Sequence, residues 1–142
     1  MATVTEGARR TVDRAWFASW LVLPVLGVVN GVLRERLLRD RVGERTAHQI
    51  STGTLIAAMA GATWAIERRW PLTDRADAAG IGVAWAAMTV GFEFGFGHYV
   101  VRQSWSELLE DYDLRHGRLW ALVPTAAAAA PSVGYLLGRR DR

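Results

Sequence analysis

An all-α integral membrane bundle of four helices, with a short interfacial amphipathic helix between the third and fourth, is the architecture expected of this chain of 142 residues. Three features lead to it. The apolar residues gather into four blocks, Trp16 to Leu33, Ala47 to Ile66, Ala76 to Val101 and Leu119 to Leu137, instead of forming one 3.6-residue stripe. Each block is close to the ~20 residues that cross a hydrocarbon core. All 17 basic residues are Arg and most fall between the blocks, so the low overall hydropathy comes from the connections. The length fits one domain.

Residues 1–15 are polar and should form a short surface helix or irregular chain. The first spanning helix is expected over about 16–38, with Trp16 and Trp20 as interfacial anchors and a bend at Pro24, which membrane helices tolerate. Acidic residues before it and the lack of a small-residue cleavage site after it argue against a removable leader. Ser19, Leu23, Leu26, Asn30, Arg34 and Leu37 share one face, and Val42-Gly43 offers a stop. The second helix, about 47–67, follows Thr46-Ala47-His48-Gln49, which reads as a capping box. Gly53, Ala57 and Gly61 form a small-residue ridge suited to close helix contact. Trp64 and Trp70 mark its exit and Pro71 ends it.

Thr73 or Asp74 should cap the third helix, about 75–102, which is longer than a bilayer requires and so should tilt or protrude. Ser104-Trp105-Ser106-Glu107 is a second capping box. It opens an amphipathic segment, 105–112, whose Trp105, Leu108, Leu109 and Tyr112 recur at helical spacing and should lie on the membrane surface. Gly117 closes the connection. The fourth helix, about 119–137, is Ala-rich and contains Pro124 and Pro131.

Four crossings bring the first and third connections to one side. Asn30, Arg34, Glu35, His48, Gln49, Thr52, Glu93, His98 and Arg102 therefore converge at one leaflet as candidate ion- or ligand-binding residues. On the third helix Gly91, Gly95, His98 and Arg102 share a stripe, with Glu93 and Gly97 opposite. Glu93 lies deepest, ~12 Å of helix rise before Val101, and a carboxyl at that depth is costly enough to suggest proton or cation handling or a tie between helices. Arg34 and Arg102 would attract an anion or lipid phosphate, or pair with Glu35 and Glu93. His48 and His98, at matching depth on helices expected to be neighbours, would also suit a bis-His b-type haem; otherwise no cofactor is expected. Two histidines are too few for a zinc site, and the absence of cysteine excludes disulfides and thiolate-held clusters. There is no phosphate loop, HExxH, dinucleotide fingerprint or Ser-His-Asp spacing, so no enzyme class is indicated. The basic pI does not point to nucleic acid, because Arg flanks apolar segments where lipid phosphate explains it.

At NGVLRE (30–35), AHQIST (47–52), FEFGFGHYV (92–100) and SWSELLEDYDLRHGRLW (104–120) the chain resembles a group of small uncharacterised bacterial four-helix membrane proteins. The resemblance implies the four-helix membrane architecture and adds no activity. The expected function is that of a channel- or transporter-like protein of the bacterial inner membrane, a homo-oligomer binding a small ion or polar molecule. The alternative is a membrane subunit that docks a protein or anionic lipid. Nine Arg on the terminal side against eight on the other barely orient the chain; the five-Arg first connection favours placing that side in the cytoplasm.

Overall fold

The computed structural model describes residues 2–140, and every regular element among them is helical. Helix formation starts earlier than the first apolar block, with α1 (Ala2–Ser19), and resumes in α2 (Val22–Leu33) after a break at Trp20 and Leu21. Pro24 causes the break. It has no N–H to offer the carbonyl of Trp20, and its ring crowds that oxygen. Leu23 N donates to Trp20 O instead at 2.9 Å, while Trp20 N and Leu21 N reach back only three residues, to Phe17 and Ala18. Beyond α2 the helix widens into a π turn, Arg34–Leu38, where Arg39 N donates to Arg34 O, and then continues as α3 (Arg39–Val42).

Gly43, at φ 80, provides the single-residue turn into α4 (Glu44–Arg69). A side chain would be strained in that left-handed conformation. The Gly43 carbonyl accepts from Ala47 N at 2.9 Å, so α4 begins before Thr46 and the anticipated Thr46–Gln49 capping box does not form. Asp74 caps α5 (Arg75–Tyr99), accepting from Ala76 N at 2.6 Å. α5 ends at Tyr99, earlier than expected: Val100 N and Val101 N both donate to Phe96 O, Gln103 N donates to Gly97 O, and Arg102 takes a left-handed conformation at φ 67. Arg102 therefore leaves the stripe of Gly91, Gly95 and His98. The Ser104–Glu107 capping box is present at the start of α6 (Trp105–Glu110). A short 3-10 turn (Leu114–His116) and the left-handed Gly117 lead to α7 (Leu122–Arg140).

α7 packs between α4 and α5, and α2 lies along α4 but touches α5 only lightly. α4 and α5 are not packed side by side, contrary to the neighbourhood assumed for His48 and His98. The closest approach is between α5 and α7, where a Cβ on Gly82 would stand 2.1 Å from the Ala128 carbonyl oxygen. Trp16 and Trp85 are fully buried, with ring centroids 5.5 Å apart. Trp85 Nε1 donates to Trp16 O and Trp16 Nε1 to Trp70 O, so Trp16 is a core residue with its polar atom satisfied inside and not an interfacial anchor. The Gly53, Ala57, Gly61 ridge points outward and meets no other helix.

The outer surface is unusually apolar. In α2 only Leu23 is buried, while Leu21, Val22, Val25, Val28, Val29, Val32 and Leu33 along the same stretch are exposed. Two helical stretches, Glu6–Val42 and Arg75–Tyr99, are long and apolar enough to cross a membrane.

Candidate functional site

The separation of α2 from α5 leaves a cavity of about 520 Å³, walled by Trp20, Leu23, Pro24, Gly27, Gly31, Met59, Phe92, Phe96 and Trp120. Its aromatic wall is held in place by specific contacts. Trp20 Nε1 donates to Thr89 Oγ1 at 3.1 Å, and Phe92 stacks on Phe96 at 5.2 Å. Gly27 and Gly31 line the α2 side, with open space where a Cβ would stand.

Arg34, Glu35, His48, Gln103 and Asp111 border this cavity and also line a second, polar one of about 280 Å³ just outside it. That outer vestibule carries three arginines against five carboxylates. Arg34 Nε donates to Glu35 Oε1 at 3.3 Å, with Arg34 Nη1 3.5 Å from His48 Nδ1; Arg118 Nη1 donates to Asp111 Oδ1 at 3.2 Å. The π turn supplies Arg34 and Glu35, and such turns recur at functional sites. His48 is buried against Trp120, and its Nε2 has no hydrogen-bond partner among the described residues.

Glu93 stands further in, about 9 Å of helix rise before the end of α5. Its Oε2 accepts from the Tyr112 hydroxyl, and Trp120 lies beside the same carboxyl. Tyr112 reaches it because α6 turns back under the bundle: Leu108 packs where a Cβ on Gly97 would come within 2.5 Å of it. The amphipathic segment thus has a divided face. Leu108 and Tyr112 turn inward, while Trp105 and Leu109 remain exposed. Burial first, and the bond to Glu93 second, raise the Tyr112 phenol well above its ordinary pKa, so it stays a donor throughout the physiological range.

Of the residues expected to bind, Arg34, Glu35, His48 and Glu93 line the cavities. The others are engaged elsewhere. Asn30 Nδ2 donates to Ser51 O at 3.0 Å and Ser51 Oγ at 2.5 Å, pinning α2 to α4. Thr52 Oγ1 donates to His48 O within α4, and Gln49 Nε2 reaches Gly117 O at 3.4 Å. His98 stacks on Trp105 at 3.8 Å with Nδ1 2.9 Å from Gln103 O, and Arg102 is exposed. His48 and His98 thus have separate aromatic partners on helices that do not pack together, an arrangement that does not fit two axial ligands of one haem. No group of three or more potential metal ligands occurs among the described residues.

Sequence reasoning missed Asp111 and Tyr112 as parts of the site. The signal for Tyr112 was its place between two acidic residues, Asp111 and Asp113, which suits a segment folded toward polar groups better than one lying in lipid. Glu67, buried at the opposite end, was missed too; its Oε2 accepts from Leu72 N at 3.1 Å and helps close the α4–α5 connection. No family model, curated protein or solved structure matches the chain, so the chemistry of the cavity itself carries the functional reading.

Proposed function

We propose that this is a small multi-pass protein of the bacterial inner membrane, transporter-like in action, in which Glu93 binds a cationic solute in exchange for a proton. The single observation that carries the reading is a carboxyl set deep in a cavity with largely apolar and aromatic walls, bordered at one end by Arg34, Glu35, Arg36, His48 and Asp111 and continuing there into a charged vestibule. A purely structural acid needs no space beside it; this one has a chamber. Membrane insertion is supported by the exposed valines and leucines along α2, since contiguous apolar surface of this kind marks contact with a membrane or a partner. It is supported further by α4 and α7, whose charged residues lie only in their end turns. The unpartnered Gly53, Ala57, Gly61 ridge suits a second copy of the chain, and a homo-oligomer is part of the proposal.

Reconstitution into vesicles carrying an internal pH dye tests this. Wild type should release protons when cations are added outside, and Glu93→Gln should abolish the response; an equal response from Glu93→Gln would sink the proposal. A second reading, a subunit docking a partner or anionic lipid, draws on the exposed Trp105 and Leu109 of α6 and the arginines of α3. It predicts that Arg39 and Arg41 substitutions matter and that Glu93→Gln does not.

A further inference from the structure

We infer that the solute is a hydrophobic monocation, with one positive centre and an aryl or alkyl body, entering sideways between α2 and α5. This rests on the transporter-like reading above and names its substrate class.

Size is the first argument. About 520 Å³ is in the range of sites for drug-sized molecules, ~300–1,000 Å³, and far exceeds what a bare inorganic ion would fill. The walls are the second. Trp20, Phe92, Phe96 and Trp120 give aromatic rings that attract a cation while burying apolar surface. Charge is the third. The inner polar anchor is the carboxyl of Glu93 with the neutral donor Tyr112, whereas Arg34 and Arg36, at the mouth, are accompanied there by Glu35 and Asp111, and Arg34 is already turned to Glu35 and His48. An anionic amphiphile could meet Arg34, but its body would then lie against Glu93. The route is the fourth. α2 and α5 barely touch, and Gly27 and Gly31 thin the α2 wall between Leu23, Pro24, Val28 and Val32. A hydrophobic cation concentrated in the bilayer would therefore reach Glu93 without crossing the outer vestibule and its Arg39 and Arg118.

The test uses the full chain in lipid nanodiscs and two probes of the same shape and opposite charge, tetraphenylphosphonium and tetraphenylborate, followed by equilibrium dialysis. Wild type should hold tetraphenylphosphonium at least tenfold more tightly than Glu93→Gln, with tetraphenylborate bound weakly and equally by both. Equal phosphonium affinity in the two proteins, or borate binding as tight as phosphonium in wild type, overturns the inference. If Glu93→Gln fails to fold, Gly27→Leu decides, because it fills the lateral opening and leaves Glu93 and Tyr112 in place. It should weaken phosphonium binding at least tenfold, and unchanged binding overturns the inference. The proton-release assay separates the two readings. Glu93-dependent exchange of sodium with no phosphonium binding removes the substrate class and spares transport. Glu93-dependent phosphonium binding without movement of any cation keeps the substrate class and removes transport.

Discussion

At the end of the bundle holding the Trp16–Trp85 pair, α5 and α7 meet so closely that Gly82 has no room for a methyl group, whereas at the Glu93 end α2 and α5 stand apart around a cavity of about 520 Å³. Both ends use glycine, but to opposite effect. Gly82 and Gly134 bring helices together; Gly27 and Gly31 keep a wall thin. Close packing and open space are thereby divided along the length of one set of helices. Small residues alone do not tell which role they play, since that depends on what stands opposite.

Substitutions at these glycines test the division. Gly82→Ala should cost most, about 1–3 kcal/mol or more as an overpacking change, because the new Cβ would meet a carbonyl oxygen fixed in α7. A thermal melt in detergent would show it, and an unchanged midpoint would contradict the close α5–α7 crossing. At the open end, Tyr112→Phe removes the donor to Glu93 and should cost about 1–3 kcal/mol if the carboxyl is left unsatisfied. In alkaline titration, one of the three tyrosines should ionise late, and Tyr112→Phe should remove that lag. Gly97→Ala comes next, at ~1 kcal/mol, because the atom in its way is the end of the Leu108 side chain, which can turn aside.

Acid should act on the α6 region more gently. Hydrogen bonds from Ser104 lower the Glu107 pKa, and the bond with His116 lowers that of Asp113. Because the folded values are depressed, their contribution is complete above the ordinary carboxylate range of about 4. It is lost only as the pH falls through the lower folded values. Amide NMR shifts of Ser104 and Glu107, whose hydrogen bonds join them, should therefore hold steady down to about pH 4 and move only in stronger acid. The smallest effect belongs to Gly61→Ala, where nothing stands within 4 Å. Helix propensity alone should make it neutral or stabilising by up to ~1 kcal/mol, unless a second copy occupies that face, in which case the molar mass would fall.

The four helical blocks were legible because length and apolar content suffice to mark them. The turns were legible too: Gly43, Asp74, Ser104 with Glu107, and Gly117 act through local backbone chemistry. Helix neighbours were not, because the Ala- and Gly-rich faces of α4, α5 and α7 look alike on every side. Within one chain the close contacts run through Gly82 and Gly134, and the small-residue ridge of α4 faces outward. Arg34, Glu35, His48 and Glu93 line one cavity. The return of Tyr112 to Glu93 depends on the chain reversal at Gln103, and no periodicity in the sequence announces it.

α2 is interrupted at both ends, by the proline-driven break at Trp20–Leu21 and by the π turn at Arg34–Leu38. Mechanically it is a rod of about 18 Å between two joints, and it forms one wall of the cavity. Displacing it sideways breaks no hydrogen bond in its own interior; the deformation is taken up where the helical ladder is already irregular. It is tied near both joints, by the bond from Asn30 to Ser51 on α4 at the π-turn end and, at the other, by the buried Leu23 and by Trp20, whose Nε1 donates to Thr89 on α5. The wall should therefore bow most freely at its middle, around Gly27, like a plank held at its two ends.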